Sequence, residues 1–253
     1  MKIHVGCSGW FYWHWRGIFY PDTKRTDTWF KHYLANFDTV ELNAPFYKWP
    51  KDATVKGWRR NAPPHFRYSV KVNSLITHEK RLVRTRRLVR EFCKIDNLLG
   101  DKLGCFLFQF PPSYKYTPSR LRSIVTQLDP RLRCAVEFRH KSWWRKSVYR
   151  ALEKRGLIFC SISAPRLPDE LIKTSDVIYI RLHGRSRWYR HDYTDEELAA
   201  WADKIDNSRA REAWIYFDND REGFAIKNAR MLIEQLNGRG LTNLKLPSLA
   251  ARR

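Results

Sequence analysis

The sequence has no apolar run of about 18 residues without a charge, so no segment of it predicts a membrane-spanning helix. Its opening residues, Met1 to Val5, lack the apolar stretch of a secretory signal peptide. Cysteine is scarce, with 5 residues and no C-x-x-C motif, which argues against a disulfide framework and a structural zinc site. These absences predict a cytoplasmic protein that keeps its thiols reduced.

Acidic residues are also few. The chain has 26 Asp and Glu against 48 Lys and Arg, which gives a formal net charge of +22. Most of these cations are arginine, whose planar fork fits phosphate in a bidentate way. The charge therefore predicts a nucleic acid or another phosphorylated ligand as partner, although genome composition is an alternative cause. Hydrophobic residues at 43% and aromatic residues at 15% are enough for a large core.

Short β-like runs alternate with helix-like segments along the whole chain. The predicted strands are Ile3–Ser8, Thr39–Asn43, Arg67–Val72, Cys105–Phe110, Cys134–Arg139, Ile158–Ser163, Val177–His183 and Trp214–Asp218. The predicted helices include Thr77–Leu99, Pro118–Leu128, Ser142–Lys154, Thr194–Ile205 and Phe224–Leu236.

This alternation predicts an α/β fold, a TIM-type (β/α)8 barrel that forms a single domain over residues 1–237. A doubly wound open sheet is the alternative, but no G-x-G-x-x-G turn follows the first predicted strand. Residues 238–253 contain glycine, proline and terminal arginines, and they predict a loose C-terminal tail.

Polar residues alternate with apolar residues inside the predicted strands, and they become more frequent toward each C-terminal end. Because successive strand residues point to opposite faces, one face of each strand would line the barrel lumen. The C-terminal ends form the mouth, where barrel enzymes carry out their chemistry. The pattern predicts a polar ring at this mouth: Trp10, Glu41, Asn43, Lys71, Asn73, Gln109, Glu137, Arg139, His183 and Asp218. Since burying unpaired ions costs several kcal/mol each, we favour a functional ring over a purely structural network.

Several motifs carry a family resemblance. They are Gly6-Cys7-Ser8-Gly9-Trp10, Val40-Glu41-Leu42-Asn43-Ala44-Pro45-Phe46-Tyr47, Lys71-Val72-Asn73, Gln109-Phe110-Pro111-Pro112, Val136-Glu137-Phe138-Arg139-His140, Arg181-Leu182-His183-Gly184 and Tyr216-Phe217-Asp218-Asn219-Asp220. In this order they resemble the family called domain of unknown function 72, the YecE-like proteins. The resemblance covers roughly residues 3–236 and implies a TIM-type barrel. It implies no activity.

Two aromatic loops and one basic segment add to the site. The first βα loop, Trp10 to Tyr20, holds seven aromatic residues, which either stack on a base or sugar or form a hydrophobic plug. The loop from His183 to His191 interleaves arginines with aromatic residues after Gly184. Loops after strands 7 and 8 of such barrels often bind phosphate, so it predicts a phosphate or nucleotide site, with a solvated basic loop as the alternative. Lys80–Arg90 predicts a helix with a basic face, which is either solvated or part of a nucleic-acid footprint.

The candidate catalytic residues are Glu41, Lys71, Glu137, His183 and Asp218. The candidate substrate-binding residues are Trp10, Asn43, Tyr47, Asn73, Gln109, Arg139, His140, Arg181, Arg185, Arg187, Trp188, Tyr189 and Asn219. The carboxylates and His183 could hold a divalent metal as cofactor, although no H-E-x-x-H motif is present.

Without a metal, Glu41 or Glu137 would act as general base and His183 as general acid, while Lys71 and Arg181 stabilise developing negative charge. Lys71 is also a candidate Schiff-base nucleophile, ranked lower because carboxylates nearby would keep it charged.

We expect a hydrolase or lyase that acts on a phosphate-bearing substrate, such as nucleic acid or a nucleotide, at the barrel mouth. One alternative is a nucleic-acid-binding protein without catalytic activity. The other is a carbohydrate isomerase or glycosidase, suggested by aromatic residues beside paired carboxylates. The sequence leaves the substrate, the metal and the oligomeric state open.

Overall fold

The computed structural model describes residues 1–246, and eight parallel strands in it close into a barrel in chain order. The strands are β1 Lys2–Ser8, β2 Thr39–Leu42, β3 Arg67–Lys71, β4 Leu103–Gln109, β5 Cys134–Glu137, β6 Ile158–Ser163, β7 Val177–Leu182 and β8 Glu212–Phe217. The predicted (β/α)8 barrel is confirmed. Several predicted strands are too long at their C-terminal ends, because they include polar mouth residues that follow the last residue of the strand.

Helices surround the barrel. They are α1 Trp29–Leu34, α2 Ala44–Tyr47, α3 Asp52–Asn61, α4 Arg86–Cys93, α5 Ile95–Leu99, α6 Pro118–Gln127, α7 Lys146–Glu153, α8 Asp195–Asn207 and α9 Phe224–Gly238. The predicted start of α8 is confirmed, because Thr194 and Glu197 form a reciprocal capping box there. No helix follows β6 in residues 164–176, where Pro165 and Pro168 each lack the N–H that a helix needs.

The predicted helix Thr77–Leu99 is wrong over its first half. A π-helical turn covers Leu75–Glu79, and the chain then breaks before α4. Positive φ angles of 49°, 58° and 52° at Arg81, Leu82 and Arg84 make the break. It places the fully buried Leu82 in the core, a position that a continuous helix would not provide. The basic segment Lys80–Arg90 is therefore helical only from Arg86 onward.

Apolar residues fill two layers, one on each side of the strands. Outward-facing residues such as Val40 and Val136 pack beneath the helices. The lower lumen is filled by a second cluster that includes Leu107, Tyr179 and Trp214. The polar residues occupy the other end of the lumen, so the barrel has an apolar base and a charged mouth.

None of the helices in residues 1–246 is long and apolar enough to cross a membrane. After α9, the side chains of Leu241, Leu244 and Leu246 pack partly buried against the core. The rest of the predicted tail, residues 247–253, lies outside the described residues.

Candidate active site at the barrel mouth

Arg181 on β7 lies at the centre of the mouth, and its side chain is only 1% exposed. Its Nη1 donates to Glu137 Oε2 at 2.6 Å. Its Nη2 donates to Glu41 Oε1 at 2.7 Å, to Ser8 Oγ at 2.9 Å and to Asp218 Oδ2 at 3.1 Å. One guanidinium thus joins three carboxylates from three other strands or strand ends, as the fork geometry of arginine allows. We call these four side chains, Arg181, Glu41, Glu137 and Asp218, the charge cluster.

Glu41 is completely buried and uses both carboxylate oxygens. Its Oε1 also accepts a hydrogen bond from Ser8 Oγ at 2.5 Å, and its Oε2 accepts one from the Tyr179 hydroxyl at 2.6 Å. Ser8 lies beside Glu41 because β1 and β2 pair in that register. Asn43 donates from Nδ2 to Ser8 Oγ at 2.8 Å, so this predicted residue supports Glu41.

Glu137 and Asp218 are held in their charged forms. Burial alone would raise the pKa of Glu137, but the charges of Arg181, Arg139 and His183 bring it well below its ordinary value. Burial acts in the same way on Asp218, and Arg181 with the His183 hydrogen bond lowers the pKa of Asp218 to about 2. His183 Nδ1 is 2.9 Å from Asp218 Oδ2, and its Nε2 is 3.3 Å from Glu137 Oε1. A carboxylate with so low a pKa is a weak base, which disfavours Glu137 as the general base.

Lys71 and His78 are two bases of the mouth whose pKa values are lowered from their ordinary values. Burial and the neighbouring charge of Arg181 lower the pKa of Lys71 to about 8, although the nearby carboxylates act in the opposite direction. Burial, with Lys71 and Arg139 nearby, lowers the pKa of His78 to about 4. Both side chains contact the ring of Phe46: Lys71 Nζ lies 4.1 Å from its centroid, and the His78 ring 4.9 Å. Lys71 is the better candidate to exchange protons, because its pKa lies near neutral pH, whereas His78 is a weak base.

Arg139 connects the charge cluster to an open cavity. Its Nε donates to Glu137 Oε1 at 2.6 Å, and its Nη1 donates to the Tyr189 hydroxyl at 2.7 Å. Its guanidinium carbon lies 4.6 Å from the centroid of the Trp188 ring, a cation–π distance. Beyond it lies a cavity of about 550 Å³, which we call the Arg139 cavity. Its lining residues are Pro112, Arg139, His140, Lys141, Pro165, Arg166, Leu167, Trp188 and Tyr189.

Four of the predicted substrate-binding residues use their side chains to hold loops at the rim. Asn73 donates to the carbonyls of residues 45 and 46, and Gln109 donates to the carbonyl of residue 110. His140 Nδ1 accepts from the backbone N–H of Ser142 at the start of a short helical turn. The buried Asn219 donates to the carbonyl of residue 191 and to a side chain of α9. Their side chains thus fix the backbone around the site, and only His140 also lines the Arg139 cavity.

The remaining predicted residues lie farther out. Trp10 is half-buried and packs with its ring 4.9 Å from that of Phe30. Tyr47 is 79% exposed. Arg185 and Arg187 are exposed on the β7 loop, and Arg185 pairs with a carboxylate of α8 at 3.5 Å. Neither arginine lines the Arg139 cavity, whereas Trp188 and Tyr189 of the same loop do.

The first βα loop, Trp10 to Tyr20, has some aromatic rings buried in the core and others exposed. Trp15, Phe19 and Tyr20 are buried in the core, while Phe11 is 46% and Trp13 57% exposed. The buried rings pack on α1, since the Tyr20 ring stacks on a tryptophan there at 4.6 Å. The hydrophobic plug is confirmed for the buried rings, and stacking on a base or sugar stays a prediction for the exposed ones.

Tyr179, His78, Lys141 and Arg166 belong to the site but are absent from the predicted set. Tyr179 precedes Arg181 by two residues in β7, so the alternation of the strand already indicated that it shares the same face. The other three lie in short irregular segments, His78 in the π-helical turn, Lys141 in a single helical turn and Arg166 in a turn after β6, where no periodicity indicates which way a side chain points.

The carboxylates of the mouth are occupied by protein partners. Within residues 1–246, no group of three or more His, Cys, Asp or Glu side chains is arranged to hold a metal ion. The oxygens that a cation would require instead accept hydrogen bonds from Arg181, Arg139, Tyr179 and Ser8.

Comparison with known sequences gives a consistent assignment. The sequence model of the family described as protein of unknown function DUF72 matches residues 4–251. The UPF0759 protein YunF of Bacillus subtilis (strain 168) is 24% identical over an alignment of 271 positions, which covers 93% of this chain and 95% of YunF. The UPF0759 protein YecE of Escherichia coli (strain K12) is 28% identical over 130 residues, which cover 50% of this chain and 47% of YecE.

Solved structures agree with these matches. A DUF72 family protein from Thermotoga maritima MSB8 superposes with a TM-score of 0.84 at 28% identity, over 94% of this chain and 100% of that one. A DUF72 family protein from Enterococcus faecalis V583 superposes with a TM-score of 0.81 at 20% identity, over 100% of this chain and 99% of that one, and so supports the fold alone. With the family model matching nearly the whole sequence, this chain belongs to the DUF72 family.

Proposed function

We propose that this protein is an enzyme that binds a phosphate-bearing substrate, a nucleotide or a segment of nucleic acid, in the Arg139 cavity and acts on it at the barrel mouth as a hydrolase or lyase. The observation that carries the proposal is the lining of that cavity. It combines three cations with two aromatic rings and contains no carboxylate. Its volume of about 550 Å³ also suits a small organic ligand.

The cations of the cavity support an anionic ligand. Arg166 and Lys141 are exposed, and in residues 1–246 neither has a carboxylate partner within 4 Å. Arg139 is only 10% exposed, and its fork is held by Glu137, by the Tyr189 hydroxyl and by His183 Nε2 at 3.4 Å from Nη2. Arg166 has a positive φ of 64°, a strained conformation of the kind that occurs at binding sites. Two unpaired cations beside a preorganised arginine fit phosphate oxygens.

The aromatic rings support a base or sugar next to the phosphate. Trp188 and Tyr189 form one wall of the cavity, with their ring centroids 5.7 Å apart. Stacking of a base on such a ring contributes about 1–3 kcal/mol. In the proposed reaction, Arg139 stabilises developing negative charge, and Lys71 exchanges protons with the substrate.

The site gives less support to a glycosidase. That chemistry uses two carboxyl groups that flank the scissile bond, one as an acid and one as a base or nucleophile. Glu41 and Glu137 are completely buried and bind the same guanidinium, so neither carboxylate faces open space.

Binding of a labelled single-stranded oligonucleotide tests the proposal against the high overall charge. We expect Arg166→Glu to weaken binding by about tenfold, or about 1.4 kcal/mol. We also expect it to reduce the slope of log Kd against log salt concentration by about 1. The measurement is fluorescence anisotropy over a range of salt concentrations, with ATP and inorganic phosphate as competitors. Product formation is followed by mass spectrometry in the same samples.

Arg185→Glu is the matched control, because it reverses the same charge on an exposed residue that does not line the cavity. Equal losses in the two variants would mean that binding follows net charge only, and the cavity would then have no special role. Binding at the cavity without any product would favour the non-catalytic alternative.

The same proposal places the protein in the cytoplasm, with nucleic acid or a nucleotide as its partner. All five cysteines are unpaired and buried, which suits a reducing compartment.

A further inference from the structure

Lys71 lies at the barrel mouth but takes no part in the ion pairs of the charge cluster. It lies at the C-terminal end of β3, partly buried, with Nζ over the face of Phe46. In the part of the chain that the structure describes, no carboxylate lies within 4 Å of its amine and no hydrogen-bond partner is present. An ammonium group usually retains its charge through such partners.

The amine is unpartnered although three carboxylates lie in the same barrel mouth, Glu41 on the neighbouring strand β2, Glu137 on β5 and Asp218 after β8. Arg181 binds all three of them. The second partners are Ser8 and Tyr179 for Glu41, Arg139 for Glu137, and His183 for Asp218. The arginines thus occupy the carboxylates, and the contact that the structure shows for the Lys71 amine is the face of Phe46. Burial is the largest cause that lowers the pKa of Lys71, and a desolvated lysine amine is the kind that acts as a nucleophile.

We infer that Lys71 is a nucleophile that forms a Schiff base with the carbonyl carbon of a phosphate-bearing aldehyde or ketone. The inference rests on the proposed function for its phosphate and narrows the substrate to compounds that carry both groups, such as an open-chain sugar phosphate or an abasic residue in nucleic acid.

The chemical step is balanced without any further reagent. The lone pair of the Lys71 amine attacks the carbonyl carbon, and the C=O π electrons move to the oxygen. The proton that the attacking nitrogen releases passes to this oxygen and gives a neutral carbinolamine. The hydroxyl group then takes one proton from solvent and leaves as water, while the nitrogen lone pair forms the C=N bond of the protonated imine. His78, on the same Phe46 ring, has a pKa of about 4 and is therefore a weak base, which can relay the proton from nitrogen to oxygen without retaining it. The protonated imine then withdraws electrons from the adjacent carbon, which is what lyase chemistry requires.

The next contacts concern the position of the Arg139 cavity relative to the Lys71 amine. Arg139 borders the cavity and contacts Glu137 of the charge cluster, and His78 contacts Gln109 between β3 and β5. The register of the strands sets Lys71 beside Leu107 and Gln109 beside Glu137, so β4 lies between the strand of Lys71 and the strand that leads to Arg139. Lys71 does not line the Arg139 cavity, so the proposal requires a substrate that extends from the cavity to the amine on β3.

Borohydride trapping tests the inference on the full-length protein. Pyridoxal 5′-phosphate is the first probe, since it carries an aldehyde, a phosphate and an aromatic ring. After brief exposure at pH 8, sodium borohydride reduces any imine to a stable amine, and peptide mass spectrometry locates it. We expect Lys71 to be modified about tenfold faster than the exposed Lys80, because far more of its amine is uncharged at that pH.

Variants and matched probes separate this inference from the proposed function. Lys71→Arg should remove the fast modification, and Lys80→Arg should leave it unchanged. Modification of Lys71 no faster than Lys80 would overturn the inference, and intact oligonucleotide binding in the same sample would leave the proposed function standing. If pyridoxal without phosphate reacts at Lys71 as fast as pyridoxal 5′-phosphate does, the amine is confirmed as the nucleophile and the phosphate site is contradicted.

A second pair of probes identifies the source of the carbonyl. Glyceraldehyde 3-phosphate represents free sugar phosphates, and an oligonucleotide with one abasic residue represents nucleic acid. A borohydride-stable adduct with either probe at Lys71 supports the inference and names its source. Absence of both adducts, with a slow reaction of pyridoxal 5′-phosphate, rejects it.

Discussion

Replacing Arg181 with leucine is expected to lower the free energy of unfolding by about 3–5 kcal/mol or more, enough to unfold much of the protein at neutral pH. The substitution leaves Glu41, Glu137 and Asp218 in the barrel mouth without the cation that they share. Two of these carboxylates are completely buried, so water cannot replace the lost hydrogen bonds without opening the barrel. Urea unfolding at pH 8, followed by tryptophan fluorescence, measures the loss.

Arg185→Leu is the control, since it removes an exposed arginine that makes one ion pair at 3.5 Å. It should change the free energy of unfolding by less than about 1 kcal/mol. If the two variants were equally stable, the carboxylates would have to be solvated or protonated already, and the described charge cluster would be wrong.

The pH dependence of the same variant gives an independent check. In the wild-type protein, the pKa of Asp218 is lowered to about 2 and that of Glu137 is lowered well below its ordinary value. Their contribution to stability is therefore present above the unfolded pKa of about 4 and is lost as the pH falls below it toward 2. In Arg181→Leu, the buried carboxylates lose their cation, so their pKa values rise and they take up protons. We expect the stability difference between variant and wild type to be smaller at pH 5 than at pH 8.

The barrel could be predicted because its strands carry two signals at once. Apolar residues alternate with polar ones, and the polar residues gather near the C-terminal ends, as in β7 with Tyr179, Arg181 and His183. The predicted strand Ile158–Ser163 matches β6. Strands that end in polar residues are predicted too long, since the polar–apolar alternation continues through Arg139 and His183, beyond the ends of β5 at Glu137 and β7 at Leu182.

The break at residues 80–85 could not be predicted, because its cause is tertiary. Lysine, arginine and leucine favour helix there, and the local sequence contains neither glycine nor proline. The chain nevertheless turns to bury Leu82, whose backbone carbonyl accepts a hydrogen bond from Gln127 at 2.6 Å. Gln127 lies at the end of α6, so the partner that decides the conformation is distant in sequence.

The members of the charge cluster could be predicted, but their pairing could not. Alternation indicates that Glu41, Glu137 and Arg181 face the lumen, and parallel strands bring their ends to one rim. Whether Arg181 or Lys71 neutralises the carboxylates depends on the stagger of the strands, which the sequence does not state. The same limit applies to Asn73 and Asn219, because a polar side chain that holds a loop and one that binds a ligand follow a strand in the same way.

Replacing Gly184 with alanine is expected to disrupt the β7 loop and to weaken ligand binding by about tenfold. Gly184 has a φ of +110°, a conformation that residues with a Cβ rarely adopt. An added Cβ would lie 2.3 Å from the carbonyl oxygen of Arg187 and 2.8 Å from Cβ of His191, so the loop backbone must move. Trp188 and Tyr189 lie between these contacts and form the wall of the Arg139 cavity.

Gly57→Ala is the matched control for this change, since an added Cβ on α3 has nothing within 4 Å. Alanine in that helix should raise the free energy of unfolding by about 0.5–1 kcal/mol and leave oligonucleotide binding unchanged. Gly184→Ala should lower it by about 1–3 kcal/mol, the cost of a strained backbone position. Loss of stability together with normal binding would show that Trp188 and Tyr189 tolerate the shift, and the ligand would then contact only the cations of the cavity. If the loss of binding free energy exceeds the loss in the free energy of unfolding, the aromatic wall takes a direct part in recognition.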